Sequence, residues 1–252
     1  MASLSARSIV ASTLLGTVPP RLPGRLLVAF AGEFGVQPGT TRVALSRMVD
    51  GGELTRLDGG VYELAGDLLD RHRRQQAGLR PSTTPWVGEW DVRIVPAGAR
   101  SAGERTALRR ACLHLGLREL REGVWMRPDN LPADRLPDAL AIVDAQTLRL
   151  SSTPHDDPAE LVRALFELDA WASTADELSV RLDGARDDAS LAQGFELAAD
   201  ALRHLVSDPL LPEPLWPPGW PSSRLRTSYA AYLEGYQTRL SGFFRAELAA
   251  VG

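Results

Sequence analysis

Apolar positions in the first eighty residues recur at helical spacing three times and then switch to alternation. Residues 5–15 carry Ile9 and Leu14 inward and stop at Gly16, followed by the turn Val18-Pro19-Pro20. From about Leu22 a second helix is expected, with Leu27, Phe30, Ala31 and Phe34 at i, i+3, i+4 and i+7 and Gly35 just past its end. Within residues 36–64, Pro38 suits a first helical turn, Leu45, Met48 and Val49 form one apolar seam, and Gly51-Gly52 end the helix. Asp58-Gly59, set between Leu54-Thr55-Arg56-Leu57 and Val61-Tyr62-Glu63-Leu64, predicts a tight hairpin, because such turns need the positive φ that glycine permits. Three helices and a ribbon in this order predict a winged helix-turn-helix over residues 1–65.

The pattern then changes twice. Residues 66–85 read as a polar linker helix carrying Arg71-His72-Arg73-Arg74 and running into Pro81 and Pro85; such a charge run is usually a solvated face. From Trp86, the alternation of Trp90, Val92 and Ile94 predicts a half-buried strand. Ser101 and Glu104 have capping-box spacing ahead of a helical seam of Leu108, Ala111, Cys112 and Leu115, closed by Gly116. The runs 117–120 and 124–126 flank Glu122-Gly123 as a hairpin. A short helix around Leu136 then precedes a final run from Leu140 to Val143, continued by Leu148 and Leu150. The order β, α, β, β, α, β over residues 86–152 predicts a ferredoxin-like domain. Residues 153–252 read as a helical domain. Leu161, Leu165, Leu168 and Trp171 share one face and Leu191, Phe195, Ala199, Leu202 and Val206 another; a proline-rich passage over 208–221 precedes one long last helix. The fold class expected is therefore α+β in three parts.

The helix predicted from Pro38 has an unusual second face. Opposite its seam lie Gly39, Thr40, Val43, Ser46, Arg47 and Asp50, with Arg42 at the edge and Thr41 beside Thr40. Arginine can read guanine with two parallel hydrogen bonds, hydroxyls can reach phosphate or base edges, and a valine methyl can sit on thymine. Thr40, Thr41, Arg42, Val43, Ser46 and Arg47 are the candidate DNA contacts, with Arg56 of the ribbon on the flanking backbone. An ordinary amphipathic helix whose polar face meets water has the same pattern.

Composition narrows these readings. The apolar content of 44 % is ordinary for a globular protein, and the 252 residues allow two or three small domains. No run of about 18 apolar residues and no basic start followed by an apolar block occurs, so a cytoplasmic protein, at the nucleoid when bound to its operator, is expected. The single cysteine, Cys112, leaves no internal disulfide and no cysteine-cluster metal site. All 28 basic residues are arginine, which points to a genome rich in G and C. The net charge of −4 looks wrong for a DNA binder until it is divided: residues 1–80 hold ten arginines against seven acids, net +3, and residues 81–252 hold eighteen against twenty-five, net −7.

Enzymatic readings find little support. A metal-dependent nuclease on the ferredoxin-like domain needs carboxylates that converge on a divalent ion, and only Glu89 and Asp91 lie near its first strand. His155-Asp156-Asp157 stands before Pro158 as a loop leading into a helix, where acids favour the helix start. No serine, histidine and carboxylate set can be argued. No enzyme, metal or cofactor is expected. Trp125 and Arg127, two residues apart and so on one side of a strand, pair an aromatic surface with a phosphate-capable fork and are the candidate effector contacts. A DNA-binding module governed by a partner protein is the remaining alternative.

Four stretches in order resemble one family: Arg42-Val43-Ala44-Leu45-Ser46-Arg47-Met48-Val49, Trp86-Val87-Gly88-Glu89-Trp90, Gly123-Val124-Trp125-Met126-Arg127-Pro128, and Asp208-Pro209-Leu210-Leu211-Pro212 through Trp220-Pro221. Together they span nearly the whole chain, which resembles the PaaX-like bacterial regulators, repressors of phenylacetate-degradation operons. The resemblance implies an N-terminal winged helix, a middle domain similar to the ferredoxin-like subunit of CRISPR adaptation complexes, and a helical C-terminal domain. It also implies homodimerisation, binding to double-stranded operator DNA, and release by an aryl-acyl coenzyme A such as phenylacetyl-CoA. The family's wing is often longer and more basic, whereas here the ribbon carries only Arg56 and the acidic Asp58.

Overall fold

Ser5 opens the first helix, its Oγ accepting from the Ser8 N–H at 3.2 Å, and Ala6–Leu15 form α1. The structure, a computed structural model, describes residues 4–98, 100–185 and 190–250. After α1 come strand β1 (Arg21–Pro23), α2 (Gly24–Gly32), α3 (Pro38–Asp50), the hairpin β2 (Leu54–Leu57) and β3 (Val61–Leu64), and α4 (Gly66–Leu79). There follow β4 (Trp90–Ile94), α5 (Ala102–His114), β5 (Arg118–Arg121), β6 (Val124–Pro128), α6 (Pro137–Asp144) and β7 (Leu148–Ser152). The rest is helical: α7 (Pro158–Leu165), α8 (Leu168–Asp183), α9 (Leu191–Val206) and α10 (Ser222–Ala249). The mixed α+β class expected from the sequence is what is observed.

The chain folds into two compact units, one from residues 1–79, 176–206 and 223–252 and the other from 80–175 and 207–222. In the first, β3 is the middle strand of a three-stranded antiparallel sheet, flanked by β1 and β2. Val10, Leu14, Leu27, Leu45, Met48 and Leu64 draw α1, α2, α3 and this sheet round one core. A second core centres on Phe30, whose ring meets Phe34, Phe195, Phe243 and Phe244 at centroid distances of 5.4 to 6.3 Å, tying α9 and α10 to α2. Tilted and edge-to-face rings at such distances add to what their burial contributes.

The second unit is built on a four-stranded antiparallel sheet in the order β5-β6-β4-β7. Successive side chains of β4 face opposite ways. Trp90 packs with Met126, Val162, Phe166, Leu211 and Leu215 on one side. On the other, Trp125 packs with Leu108, Cys112 and Val143 under α5 and α6. Arg93, on this second side and only 1 % exposed, is gripped by Asp91 from Nε at 2.7 Å and Nη2 at 3.2 Å, and by Asp144 through Nη1. Burial pulls its pKa down, but the hydrogen bonds and charges of the two carboxylates outweigh that and hold it above the usual arginine value. The expected capping box is present: Ser101 Oγ accepts from the Glu104 N–H, and Glu104 Oε2 accepts from the Ser101 N–H.

Three expectations are corrected. The second helix starts at Gly24, because Arg21, Leu22 and Pro23 extend to pair with Glu63, Tyr62 and Val61. The run from Leu140 to Val143 lies in α6, opened by Pro137 in its first turn, and the last strand is the later Leu148–Ser152. The seam from Leu161 to Trp171 belongs to two helices, broken where Phe166 is extended at φ −122° and ψ 134°.

Candidate nucleic-acid interface

Helix α3 is fixed from behind and open in front. Leu45 and Met48 are 2 % exposed in the first core, and Pro38 starts the helix, as its locked φ allows. The front presents Gly39, Thr40, Arg42, Val43, Ser46, Arg47 and Asp50, all exposed, and Val43 is open to 51 %. Val43 is the one apolar side chain larger than glycine on that front. Beyond the far end of the helix, Arg7 Nε and Nη2 donate to Glu53 at 2.9 and 2.5 Å, joining α1 to the turn before β2.

The ribbon follows the predicted pairing, with Leu54 opposite Leu64 and Leu57 opposite Val61. Its turn is one residue longer than a two-residue loop, with Asp58, Gly59 and Gly60 between the strands and both glycines at positive φ, 70° and 71°. Arg56 is exposed on β2, and Arg21 of β1 and Arg25 of α2 are exposed as well. Arg42, Arg47 and Arg56 form no ion pair with the carboxylates of the described residues, whereas Arg7, Arg73 and Arg109 each do. Unpaired guanidinium groups and one bare methyl surface fit an anionic, groove-shaped partner.

Thr41 does not share that front. Its side chain is fully buried, and its Oγ1 finds no hydrogen-bond partner. Thr41, Leu45 and Met48 stand at i, i+4 and i+7, so the helical period places Thr41 on the seam, and that spacing was the available signal. A direct contact of Thr41 with DNA is thereby corrected.

The other sequence-selected pair is buried in the second unit. Trp125 is 4 % exposed, packed under α5, with the Arg109 guanidinium 5.5 Å from its ring centre. Arg127, also 4 % exposed, donates to the carbonyls of Leu115, Pro128, Pro209 and Leu210 and to Asn130 Oδ1. Burial, reinforced by the nearby charges of Arg135 and Arg118, holds its pKa well below the usual arginine range. The two do lie on one side of their strand, but their surfaces are occupied by protein. The pair is corrected from effector contacts to structural ones.

Other sequence features find their places. Among the tryptophans, Trp90 and Trp125 are core, and Trp171 stacks on Trp220 at 4.6 Å with its Nε1 donating to Ser207 Oγ. Asp157 caps α7, accepting from the Ala159 N–H at 2.8 Å, which accounts for an acid at that position. His72 is buried in the first unit, with Nδ1 3.1 Å from the Leu15 carbonyl. Among the described residues no three His, Cys, Asp or Glu side chains gather to hold a metal ion. Among the described residues, too, no helix is long and apolar enough to cross a membrane. One open cleft of about 360 Å³ in the first unit is lined by Leu182, Asp183, Tyr232, Tyr236 and Arg239.

Comparison with known proteins adds three findings. The sequence model of the family described as PaaX-like protein matches residues 5–68, the segment holding α1, α2, α3 and the ribbon. Among solved structures, the uncharacterized protein Rv0674 from Mycobacterium tuberculosis is similar at 38 % identity, with a TM-score of 0.73 over 96 % of this chain and 99 % of that one. No curated protein matches.

Proposed function

This chain belongs to the PaaX-like family, and on that premise we propose that it is a sequence-specific transcription regulator that reads double-stranded DNA with the front of α3. Residues 1–65 act as a winged helix-turn-helix, with α3 in the major groove and the β2–β3 ribbon as the wing. The observation that carries this reading is that front: Arg42 and Arg47 without carboxylate partners among the described residues, the Thr40 and Ser46 hydroxyls beside them, and the half-exposed Val43. These are the groups that major-groove readout uses. Arg56, the only arginine of the β2–β3 ribbon, reaches the flanking backbone, so the wing adds little phosphate contact.

In this proposal the protein is a homodimeric repressor. Two copies of α3 enter successive major grooves of an inverted repeat, with half-sites about one helical turn apart or a multiple of it. The second unit is a ferredoxin-like domain, a reading supported by its β-α-β-β-α-β order and its antiparallel sheet order β5-β6-β4-β7. Release is by an aryl-acyl coenzyme A such as phenylacetyl-CoA. Such an effector shifts the protein only by binding better to a dimer geometry that no longer matches the half-sites. It acts as a ligand and not as a cofactor.

The test is binding of the purified protein to the promoter fragment upstream of its own gene, at stated salt, with and without phenylacetyl-CoA. Specific binding that the thioester releases supports both parts. Specific binding that ignores the thioester keeps the regulator and removes the effector, and the absence of specific binding overturns the regulator.

A further inference from the structure

Val43 is 51 % exposed on the front of α3 and lies outside the core that Leu45 and Met48 join. Its neighbours one turn away on the helix are Gly39 and Thr40 before it and Ser46 and Arg47 after it. Three of these four are small, and a Cβ added at Gly39 would meet nothing within 4 Å. The backbone round Val43 is therefore uncovered on every side but that of Arg47. A surface laid against this face meets the valine methyls and the Arg47 guanidinium first.

Valine is short and offers no hydrogen bond, so what it can recognise on a base edge is apolar. In the major groove that group is the C5-methyl of thymine, which cytosine lacks. A short side chain reaches the methyl only if the helix backbone comes close to the floor of the groove, and bulky neighbours would hold it off. We infer that Val43 reads the C5-methyl of one thymine in each operator half-site, and that the small size of Gly39, Thr40 and Ser46 permits the close approach. The inference rests on the reading of α3 as the DNA-reading helix and names the feature of the base pair that it selects. Val43 and Arg47 are four residues apart, a rise of about 6 Å along the helix, or roughly two base-pair steps. The thymine and any base read by Arg47 are thus near neighbours in one half-site.

The experiment measures binding of the full chain, wild type and Val43→Ala, to the promoter fragment and to copies in which one thymine at a time is replaced by deoxyuridine. That replacement removes the C5-methyl and leaves every hydrogen-bonding group of the base pair in place. Val43 lies outside the core and alanine favours a helix, so the variant keeps the wild-type melting curve. The wild type should lose roughly fourfold in affinity at one thymine of each half-site, the worth of one buried methyl. Val43→Ala should bind the unmodified fragment more weakly than the wild type and be indifferent to deoxyuridine at that position. Deoxyuridine also changes how readily the duplex deforms, so a loss that persists undiminished in Val43→Ala belongs to the DNA and overturns the inference. Specific wild-type binding that is indifferent to deoxyuridine at every thymine overturns it as well, yet leaves α3 as the DNA reader. Absence of specific binding removes both readings. Gly39→Leu tests the close approach separately: nothing lies within 4 Å of the added Cβ, and the same thymine should cease to matter. Retained sensitivity in that variant removes the role given to the small neighbours.

Discussion

The Nη2 of Arg127 donates to the carbonyl oxygen of Leu210 at 3.2 Å, although 83 residues separate them. Leu210 is the one non-glycine residue at positive φ among the described residues, at 48°. Its neighbours hold it there: Asn130 Nδ2 donates to the same carbonyl at 2.9 Å, and its own N–H donates to Asp208 Oδ1 at 2.9 Å. Asp208 Oδ2 in turn accepts from the Ser222 hydroxyl. The Asp-Pro-Leu-Leu-Pro passage is thus a strained turn clamped by polar groups of its own unit, and it delivers Leu211 and Leu215 to the face of the sheet that buries Trp90.

Replacing Arg127 with methionine keeps most of the volume and removes the donors. The carbonyls of Pro209, Leu210 and Leu115 would then lie buried with fewer partners, at a cost of about 3 kcal/mol. Urea unfolding should show that loss, with the passage from Asp208 the first region to lose hydrogen-exchange protection. A stability within about 0.5 kcal/mol of wild type would show that the clamp is dispensable.

Gly116 reports on the same guanidinium from the other side. At φ +78° it sits where L residues are strained, and a Cβ there would lie 2.0 Å from Arg127 Nη1. Gly116→Ala should therefore destabilise by about 2 kcal/mol or more. Much of the clash is with Arg127, so the same substitution should cost less in an Arg127→Met background. Additive losses in a double-mutant cycle would show that the backbone strain alone matters.

The sequence pattern reached local elements better than long-range ones. The helix from Pro38, the ribbon at Leu54–Leu57 and Val61–Leu64, and the Ser101 capping box depend on neighbours a few residues away, and periodicity reads those. β1 is three residues long, too short to show alternation, and exists because β3 offers an edge. A four-residue apolar run such as 140–143 fits helix or strand equally until Pro137 is placed in the first turn. The clamp on Leu210 and the aromatic cluster on Phe30 pair residues far apart in sequence, which no local spacing encodes. The exposed front of α3 follows from the helical period, and the same period puts Thr41 on the buried seam, where its hydroxyl chemistry alone does not reveal its placement.

Cys112 should behave as a sealed thiol. It is fully buried, and burial raises its pKa to about 12, with the positive charge of Arg93 only partly opposing that rise. An unfolded thiol ionises near pH 8.5. Because the folded value is the higher one, the stability linked to this group is complete below that pH and is lost as pH rises toward about 12. Labelling with a thiol reagent at pH 8.5 should therefore follow global unfolding and quicken in denaturant. Rapid stoichiometric labelling of the native protein would contradict the buried placement.

The front of α3 can be separated from its back by substitution and salt. Arg42→Ala and Arg47→Ala each remove an exposed, carboxylate-free guanidinium, so stability should stay within about 0.5 kcal/mol of wild type. On operator DNA a base-reading arginine costs about 1 to 3 kcal/mol and relaxes specificity at one position, whereas a phosphate contact weakens all sequences alike and lowers the salt slope by about one. Thr41→Val is the internal control. Its hydroxyl is buried without a partner, so exchanging it for a methyl leaves affinity and salt slope unchanged, with the fold equally or more stable. If Thr41→Val lost operator affinity while Arg42→Ala and Arg47→Ala kept it, the orientation of α3 toward DNA would have to be the reverse of the one its exposed face defines.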